Sequence, residues 1–478
     1  MPNNPSIFND VLSPITPGPS SSNTCGPHRI ASLCRQLLDE PPRSLTIQMC
    51  RTGGYPDTFY SMQSDLAFIA GLLGKDLLSY DLLRAHTDAE AADLQLSFQF
   101  VDDLPEQPSE LARLIVTSRT RQLDVIGVSL GGGEIEITEI NGQKVLLDGK
   151  RHCTAVFYRD GRITVTSQEA APPRPSDSCD QTDILWQSTV SPVFPFSQPL
   201  EKESEVPFST AAEMLQYASD SGLPLWKLAL LYESAVTGAD EKALFDYAEK
   251  IYDLSLVSME RGREEGIHFE GVTDAKAPLY QQALEEGRLI PLGAADYGCL
   301  DAMAIMEYSN SHGTIVCMPT GGASGIIPAA IRHVGTALGK SKEDLIRAQL
   351  TAGLIGVFYY PTHYTGALGC QAEIGIAISM AAAGLVSLLD EDAATTIEKA
   401  ASLGGQSVMG MICNPVEGYV QVPCILRNMA AVPTAITCAN AAIAGLDSLI
   451  PLDNVAELML NVGQRLRPCN QAGCYYRK

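Results

Sequence analysis

The chain has 478 residues, 45% of them hydrophobic and 19% charged, with a formal net charge of −23. That length exceeds what one hydrophobic core supports, so two or three domains are expected, and the composition excludes a disordered or purely solvating chain. The acidic balance excludes a general nucleic-acid or anionic-membrane surface, which needs clustered Lys and Arg, and points instead to a small-molecule partner. Thirteen cysteines are spread along the chain. With no secretory leader at the N-terminus, they read as thiols of a reduced, cytoplasmic protein rather than a disulfide scaffold. No run approaches the roughly eighteen apolar residues of a membrane span, and the Ala-rich stretch 380–389 is short.

In chain order, residues 1–12 read as an N-terminal tail and 13–166 as a small α/β domain. Strands are expected at 44–49 and 124–128 and a helix at 64–73. Gly131-Gly132-Gly133 precedes the alternating run Glu134-Ile135-Glu136-Ile137-Thr138-Glu139-Ile140. Asn141-Gly142 then supplies a hairpin turn into a return strand at 143–147, with a further strand pair at 154–158 and 162–166. Residues 167–207 turn to Pro, Ser, Gln and Asp without periodicity and read as an interdomain linker. Ser209-Thr210 followed by Glu213 is a helix N-cap signature. From there, 208–478 reads as a mainly helical domain, with helices at 211–219, 225–237, 241–261, 325–338, 342–358, 373–389, 394–403 and 427–444. No internal repeat stands out.

Three cysteines, Cys370, Cys413 and Cys424, each sit in a turn marked by Gly369, Pro415 or Pro423. Three thiolates can hold three irons of a four-iron cluster and leave the fourth open as a Lewis acid. A buried Cys is also an ordinary small core residue, and no Cys-x-x-Cys pair of the zinc or ferredoxin kind occurs among the three. Gly321-Gly322 with Ser324 resembles a phosphate loop, but no Lys follows, so pyridoxal phosphate is only the runner-up cofactor.

The segments Met318-Pro319-Thr320-Gly321-Gly322-Ala323-Ser324-Gly325, Gly369-Cys370-Gln371-Ala372-Glu373-Ile374-Gly375 and Cys413-Asn414-Pro415-Val416-Glu417-Gly418, with Val422-Pro423-Cys424, resemble the iron–sulfur L-serine dehydratase family. Gly18-Pro19-Ser20-Ser21-Ser22-Asn23-Thr24-Cys25-Gly26-Pro27 is similar to that family's N-terminal motif, and Val128-Ser129-Leu130-Gly131-Gly132-Gly133 to the end of its small domain. The resemblance covers most of the chain, as a fusion of parts that some members make as separate subunits. It implies an α+β N-terminal domain followed by a mainly α-helical catalytic domain carrying a [4Fe–4S] cluster. It also implies Cys370, Cys413 and Cys424 as cluster ligands, and Cys474, with Cys469 as its rival, as a cap on the open iron. Substrate binding falls by the same likeness to Ser20, Ser21, Ser22, Asn23, Thr24, Ser64 and Asp65, and to Thr320, Gly321, Gly322 and Ala323. The implied partner is an amino acid or hydroxy acid, and a homodimer is expected.

This sequence also departs from the family pattern. Asn23 stands where the family has His, Ser61-Met62-Gln63-Ser64-Asp65 replaces Gly-His-x-Thr-Asp, and Gln107-Pro108-Ser109 replaces His-Pro-Asn. Asn414 replaces an Asp after the second cluster cysteine. The segment Tyr359-Tyr360-Pro361-Thr362-His363-Tyr364 is rebuilt, which makes His363 a catalytic candidate beside Lys75 and Lys150. A lyase acting on serine or threonine is the leading reading. A divergent cluster enzyme acting by elimination, isomerisation or epimerisation on another acid comes second, and a cluster-bearing sensor third.

Overall fold

The computed structural model describes residues 4–106, 108, 110–168, 183–198, 206–269, 271–360, 368–412, 414, 416, 419 and 421–466, apart from the side chain of Asp57. Two compact units make up the chain: 20–203, and 1–19 together with 204–478. The short strand β1 (Ile15–Pro17) belongs to the second of these. As expected, an α/β region precedes a mostly helical one.

In the first unit the order is α1 (Cys25–Leu38), β2 (Ser44–Cys50), α2 (Tyr55–Thr58), α3 (Ser64–Leu72), α4 (Ala85–Ala91) and β3 (Gln95–Val101). It continues with β4 (Leu111–Thr117), β5 (Gln122–Gly131), β6 (Glu134–Ile140), β7 (Gln143–Leu147), β8 (His152–Tyr158), β9 (Ile163–Gln168) and β10 (Ile184–Val190). Six strands form a sheet in the order β3-β2-β4-β5-β6-β7, parallel only between β2 and β3. Period-two patterning decides which face is covered: Leu45, Ile47 and Met49 are buried in one core with Ile30, Leu33 and Leu37 of α1 and Phe68 of α3. In β6, Ile135, Ile137 and Ile140 are buried, and a register shift between Ile137 and Glu139 turns Ile140 inward.

Two features of this unit differ from expectation. Helix α1 is not among the expected elements; Pro27 falls in its first turn, where a missing N–H is harmless. Strand β10 lies within 167–207, the expected linker, and pairs with β8 in the sheet β10-β8-β9. The cause is the apolar run Ile184-Leu185-Trp186: Trp186 stacks on Phe157 at 4.0 Å between centroids and its indole N–H donates to the Leu37 carbonyl.

The helical unit holds α5 (Ala211–Ser221), α6 (Leu225–Thr237), α7 (Glu241–Gly262), α8 (Ala277–Glu285) and α9 (Ala295–Asn310). Strand β11 (Thr314–Val316), antiparallel to β1, follows. The remaining helices are α10 (Ile326–Ala337), α11 (Lys342–Val357), α12 (Cys370–Leu389), α13 (Ala394–Gln406), α14 (Gln421–Ile443) and α15 (Leu452–Gly463). Residues 4–12, expected as part of a tail, are instead built into this unit, with Ile7, Phe8, Val11 and Leu12 fully buried. Ile7 and Leu12 pack over Gly353 of α11, and Val11 over Gly356. Helix α9 escapes sequence reading because it is buried nearly all round and so has no polar stripe.

Two helices, Cys370–Leu389 and Gln421–Ile443, are long and apolar enough to cross a membrane by length and composition, contrary to the sequence expectation. In Cys370–Leu389 the most apolar window is 83% buried inside the protein. Helices α10, α11, α13 and α14 surround it, which accounts for an apolar surface on every side.

Candidate functional site

Cys370 opens α12 and is 1% exposed; Cys424 is 6% exposed. Helix α14 is interrupted at Val422, whose φ of −113° and ψ of 116° are extended, so Cys424 too stands in the first turn of regular helix. Gly369 precedes Cys370 with φ of 79°, and a Cβ there would meet the Met411 carbonyl at 2.9 Å, so only glycine suits this entry. The two thiols lie within hydrogen-bonding reach of one another. The Cys424 thiol is pushed well up by its hydrogen bond to Cys370 and then by burial, with Arg427 pulling the other way.

Two adjacent buried thiols cannot both ionise unless a cation compensates them, and metal ligation requires the thiolate. At helix N-termini the backbone dipoles favour that ionised form. The donor set therefore fits a sulfur-ligated metal group. Among the described residues no group of three His, Cys, Asp or Glu is arranged to hold a metal ion. Cys413, the third expected ligand, lies outside them. The chain leading to it is tied down: Gln371 donates its backbone N–H to the Met411 carbonyl (3.0 Å) and its Oε1 accepts from the Gly410 N–H (2.7 Å).

Asn428, fully buried one helical turn beyond Cys424, joins the thiol pair to the expected binding loop. Its Nδ2 donates to the carbonyls of Gly322 (2.7 Å) and Cys424 (2.9 Å), and its Oδ1 accepts from the Gly325 N–H (3.1 Å). Thr320, Gly321, Gly322 and Ala323 thereby sit at the start of the segment entering α10, beside the cysteines. Replacing Asn428 by Ala orphans the Gly325 N–H and removes a donor from two carbonyls. A loss of about 2–4 kcal/mol is expected, read as a lower urea midpoint at unchanged slope.

Glu373, one turn along α12 from Cys370, comes so close to Gly322 that a Cβ there would lie 3.3 Å from its Oε1. Burial pushes this carboxyl up, against the Thr320 hydroxyl and the Arg427 guanidinium. Among the described residues Thr320 Oγ1 is itself buried without a hydrogen bond of ordinary geometry, as is Arg427 Nη1. Arg427 Nη2 donates to Asn414 Oδ1 at 2.6 Å. Sequence reasoning passed over Glu373, although its place in the first turn after Cys370 was a usable signal.

The α/β unit gathers the other expected residues around Asn23. Its Nδ2 donates to Ser20 Oγ (3.2 Å), and its Oδ1 accepts from Thr58 (2.8 Å) and Ser64 (3.3 Å). Thr24 Oγ1 donates to the Met62 carbonyl (3.3 Å). Ser20 closes the turn by accepting from the N–H groups of Asn23 and Thr24; Ser21 is buried and Ser22 half-buried. Asp65 Oδ2 lies 3.0 Å from Nε2 of His86. Thr58 and His86 were not foreseen, since nothing in their spacing links them to the serine-rich turn. Ser129 Oγ is buried without a hydrogen-bond partner among the described residues and packs against Gly26.

His363, Cys469 and Cys474 lie outside the described residues, as do Gln107 and Ser109. Of the lysines considered as bases, Lys150 pairs with Glu134 at 2.9 Å and Lys75 with Asp88 at 3.7 Å. The nine described cysteines are buried and form no disulfide among themselves.

The family model of the serine dehydratase alpha chain matches residues 220–471, the stretch that carries the thiol pair, Asn428 and the binding loop. The chain belongs to the serine dehydratase family. L-serine dehydratase 1 of Escherichia coli K12 is 32% identical to it over 94% of this chain and 93% of that relative. L-serine dehydratase 2 of the same organism is 27% identical, over 94% and 92%. The L-serine dehydratase of Streptomyces coelicolor is 29% identical, over 93% and 92%.

Proposed function

We propose that the chain is an iron–sulfur lyase that eliminates water from L-serine or a related β-hydroxy amino acid, giving a 2-oxo acid and ammonia. The observation that carries this reading is the pair of buried thiols at two helix N-termini, tied through Asn428 to a loop of small residues. The relatives named L-serine dehydratase, similar over nearly their whole length, supply the reaction. Cys370 and Cys424, with Cys413, would hold a [4Fe–4S] cluster, and Cys474 would cap it. When bound, a cluster with one iron free of cysteine supplies Lewis acidity toward the leaving hydroxyl.

The chain's own residues have separate tasks. Backbone N–H groups of Thr320, Gly321, Gly322 and Ala323, ahead of α10, suit the substrate carboxylate. Glu373, a carboxyl pushed toward its protonated form, is placed to hold a proton beside that loop. In the α/β unit, Ser20, Ser21, Ser22, Asn23, Thr24, Ser64 and Asp65 are assigned to substrate hydrogen bonding.

A second reading, a different substrate for the same cofactor, is favoured by Asn23. Its amide is already engaged by Ser20, Thr58 and Ser64 and carries no exchangeable proton of the histidine kind. Incubating cluster-loaded protein with L-serine and L-threonine separates the two. Pyruvate or 2-oxobutanoate is the expected result, and a loaded cluster that yields neither keto acid would overturn the first reading in favour of the second.

A further inference from the structure

A cleft in the helical unit lies well apart from the cysteines. Its volume is about 200 Å³, and Trp226, Lys340, Asp344, Arg347, Leu388 and Glu391, all of that unit, line it. Trp226 is in the first turn of α6, Lys340 joins α10 to α11, Asp344 and Arg347 stand early in α11, and Leu388 is near the end of α12. Helices α10 and α12 both start at the candidate site, one after the Thr320–Ala323 loop and the other at Cys370, and both finish at this cleft. At 1.5 Å per residue, Leu388 stands about 27 Å along α12 from Cys370. The three helices pack closely. A Cβ on Gly335 of α10 would run into Leu345 of α11, and one on Gly384 of α12 would lie 2.9 Å from the Ala348 carbonyl. Walls packed in this way are set before any ligand arrives.

The lining carries both signs of charge. Lys340 is half-buried and joins no ion pair among the described residues. Arg347 lays its guanidinium over the Trp226 ring at 4.5 Å and turns its terminal nitrogens to Glu343 (2.6 Å) and Glu391 (3.8 Å). Its Nε is buried with no hydrogen-bond partner among the described residues, which leaves a donor unsatisfied. Asp344 Oδ2 accepts from the Ser341 hydroxyl and N–H, and these donors hold the carboxyl below its usual range, so it is charged. Glu391 accepts from the Trp226 indole at 3.0 Å. A simple anion would meet two carboxylates here and a simple cation two cations, whereas a molecule bearing both charges meets a partner for each. The volume, below the 300 Å³ or so at which drug-sized pockets begin, admits only a small one. We propose that the cleft binds a small neutral α-amino acid as its zwitterion: carboxylate on Lys340 and Arg347 Nε, ammonium on Asp344 and Glu391, side chain against Trp226 and Leu388.

Binding at this cleft does not depend on which reaction the chain performs. The chain has two tryptophans, so Trp186→Phe leaves Trp226 as its one indole. Titrating that full-length protein with L-alanine and with L-valine should give a saturable change in Trp226 fluorescence. Each amino acid is compared with its single-charge analogues, propionate and ethylamine for L-alanine, isovalerate and isobutylamine for L-valine. The analogues should bind at least about 10-fold more weakly, because each leaves one pair of charged groups without a partner. Lys340→Ala and Glu391→Gln, made in the same background, should each weaken amino acid binding about 10-fold. Their melting temperatures should match the parent's, since neither is a core residue. Calorimetry on the wild-type chain and on the same two variants reads the same affinities should Trp186→Phe fail to fold. Absence of binding by both amino acids, an acid or amine analogue that binds as tightly as its amino acid, or undiminished binding in Lys340→Ala and Glu391→Gln overturns the proposal.

Discussion

Cys370→Ser and Cys424→Ser proteins, purified anaerobically and reconstituted with iron and sulfide, are expected to stay pale and to lose keto acid production entirely. The wild type should bind about four irons and four sulfides per chain, as an open-site cluster requires. Cys438→Ser is the matched control: Cys438 is also a buried helical thiol, and burial likewise pushes it up, but among the described residues no second cysteine bears on it. Serine keeps the size of cysteine, so misfolding is not the expected cause of failure. Its hydroxyl does not ionise under these conditions and is a poor ligand for iron. Iron and sulfide content together with visible absorbance decide the matter, and equal loading of all three variants would remove the ligand assignment.

The second large effect is expected at Glu233, far along the chain from the segment it holds. This residue is fully buried in α6 and accepts from the Ser6 hydroxyl (2.5 Å) and from the N–H groups of Ile7 (2.6 Å) and Phe8 (3.2 Å). Glu233→Ala leaves three donors buried without an acceptor. The expected loss is about 3–6 kcal/mol, with residues 4–12 becoming open to limited proteolysis.

Glu233 also predicts the direction of a pH effect. Burial, which outweighs the three donors, and the charge of Asp10 push its carboxyl from 4.5 to about 7. A carboxyl raised on folding contributes stability that is fully present below its unfolded value and is lost as pH rises through about 7. Linkage puts the change on the order of 3 kcal/mol between pH 4.5 and 7. Thermal denaturation across that range should show wild-type stability falling with pH, and Glu233→Gln should flatten that slope. A variant slope identical to that of the wild type would show that Glu233 does not titrate there.

The elements that could be read in advance are those whose signal is local. Helices α6, α7, α11 and α13 have an apolar stripe, a cap or both, and their expected ranges lie within a few residues of the observed ones. Strands β6 and β7, joined at Asn141-Gly142, follow from alternation and turn chemistry. Helices α8 and α15 were missed for a shared reason. Their ends or faces are satisfied by distant residues: Glu307 accepts from the N–H groups of Lys276 and Ala277 at the start of α8, and Glu398 from that of Leu452 at the start of α15. Such caps leave no trace within a sequence window.

The candidate site divides along the same line. Sequence alone singled out the cysteines flanked by Gly and Pro and the loop built from small residues, because residue type and neighbours suffice for each. Only the tertiary structure decided that the thiols of Cys370 and Cys424 meet, that Asn428 ties them to Gly322, that Glu373 closes over that loop, and that His86 reaches Asp65. Each of these joins residues on separate elements. The physical reason is that hydrogen bonds and buried charges act across a few ångströms of space, which helix packing sets, whereas propensity and periodicity act along the chain.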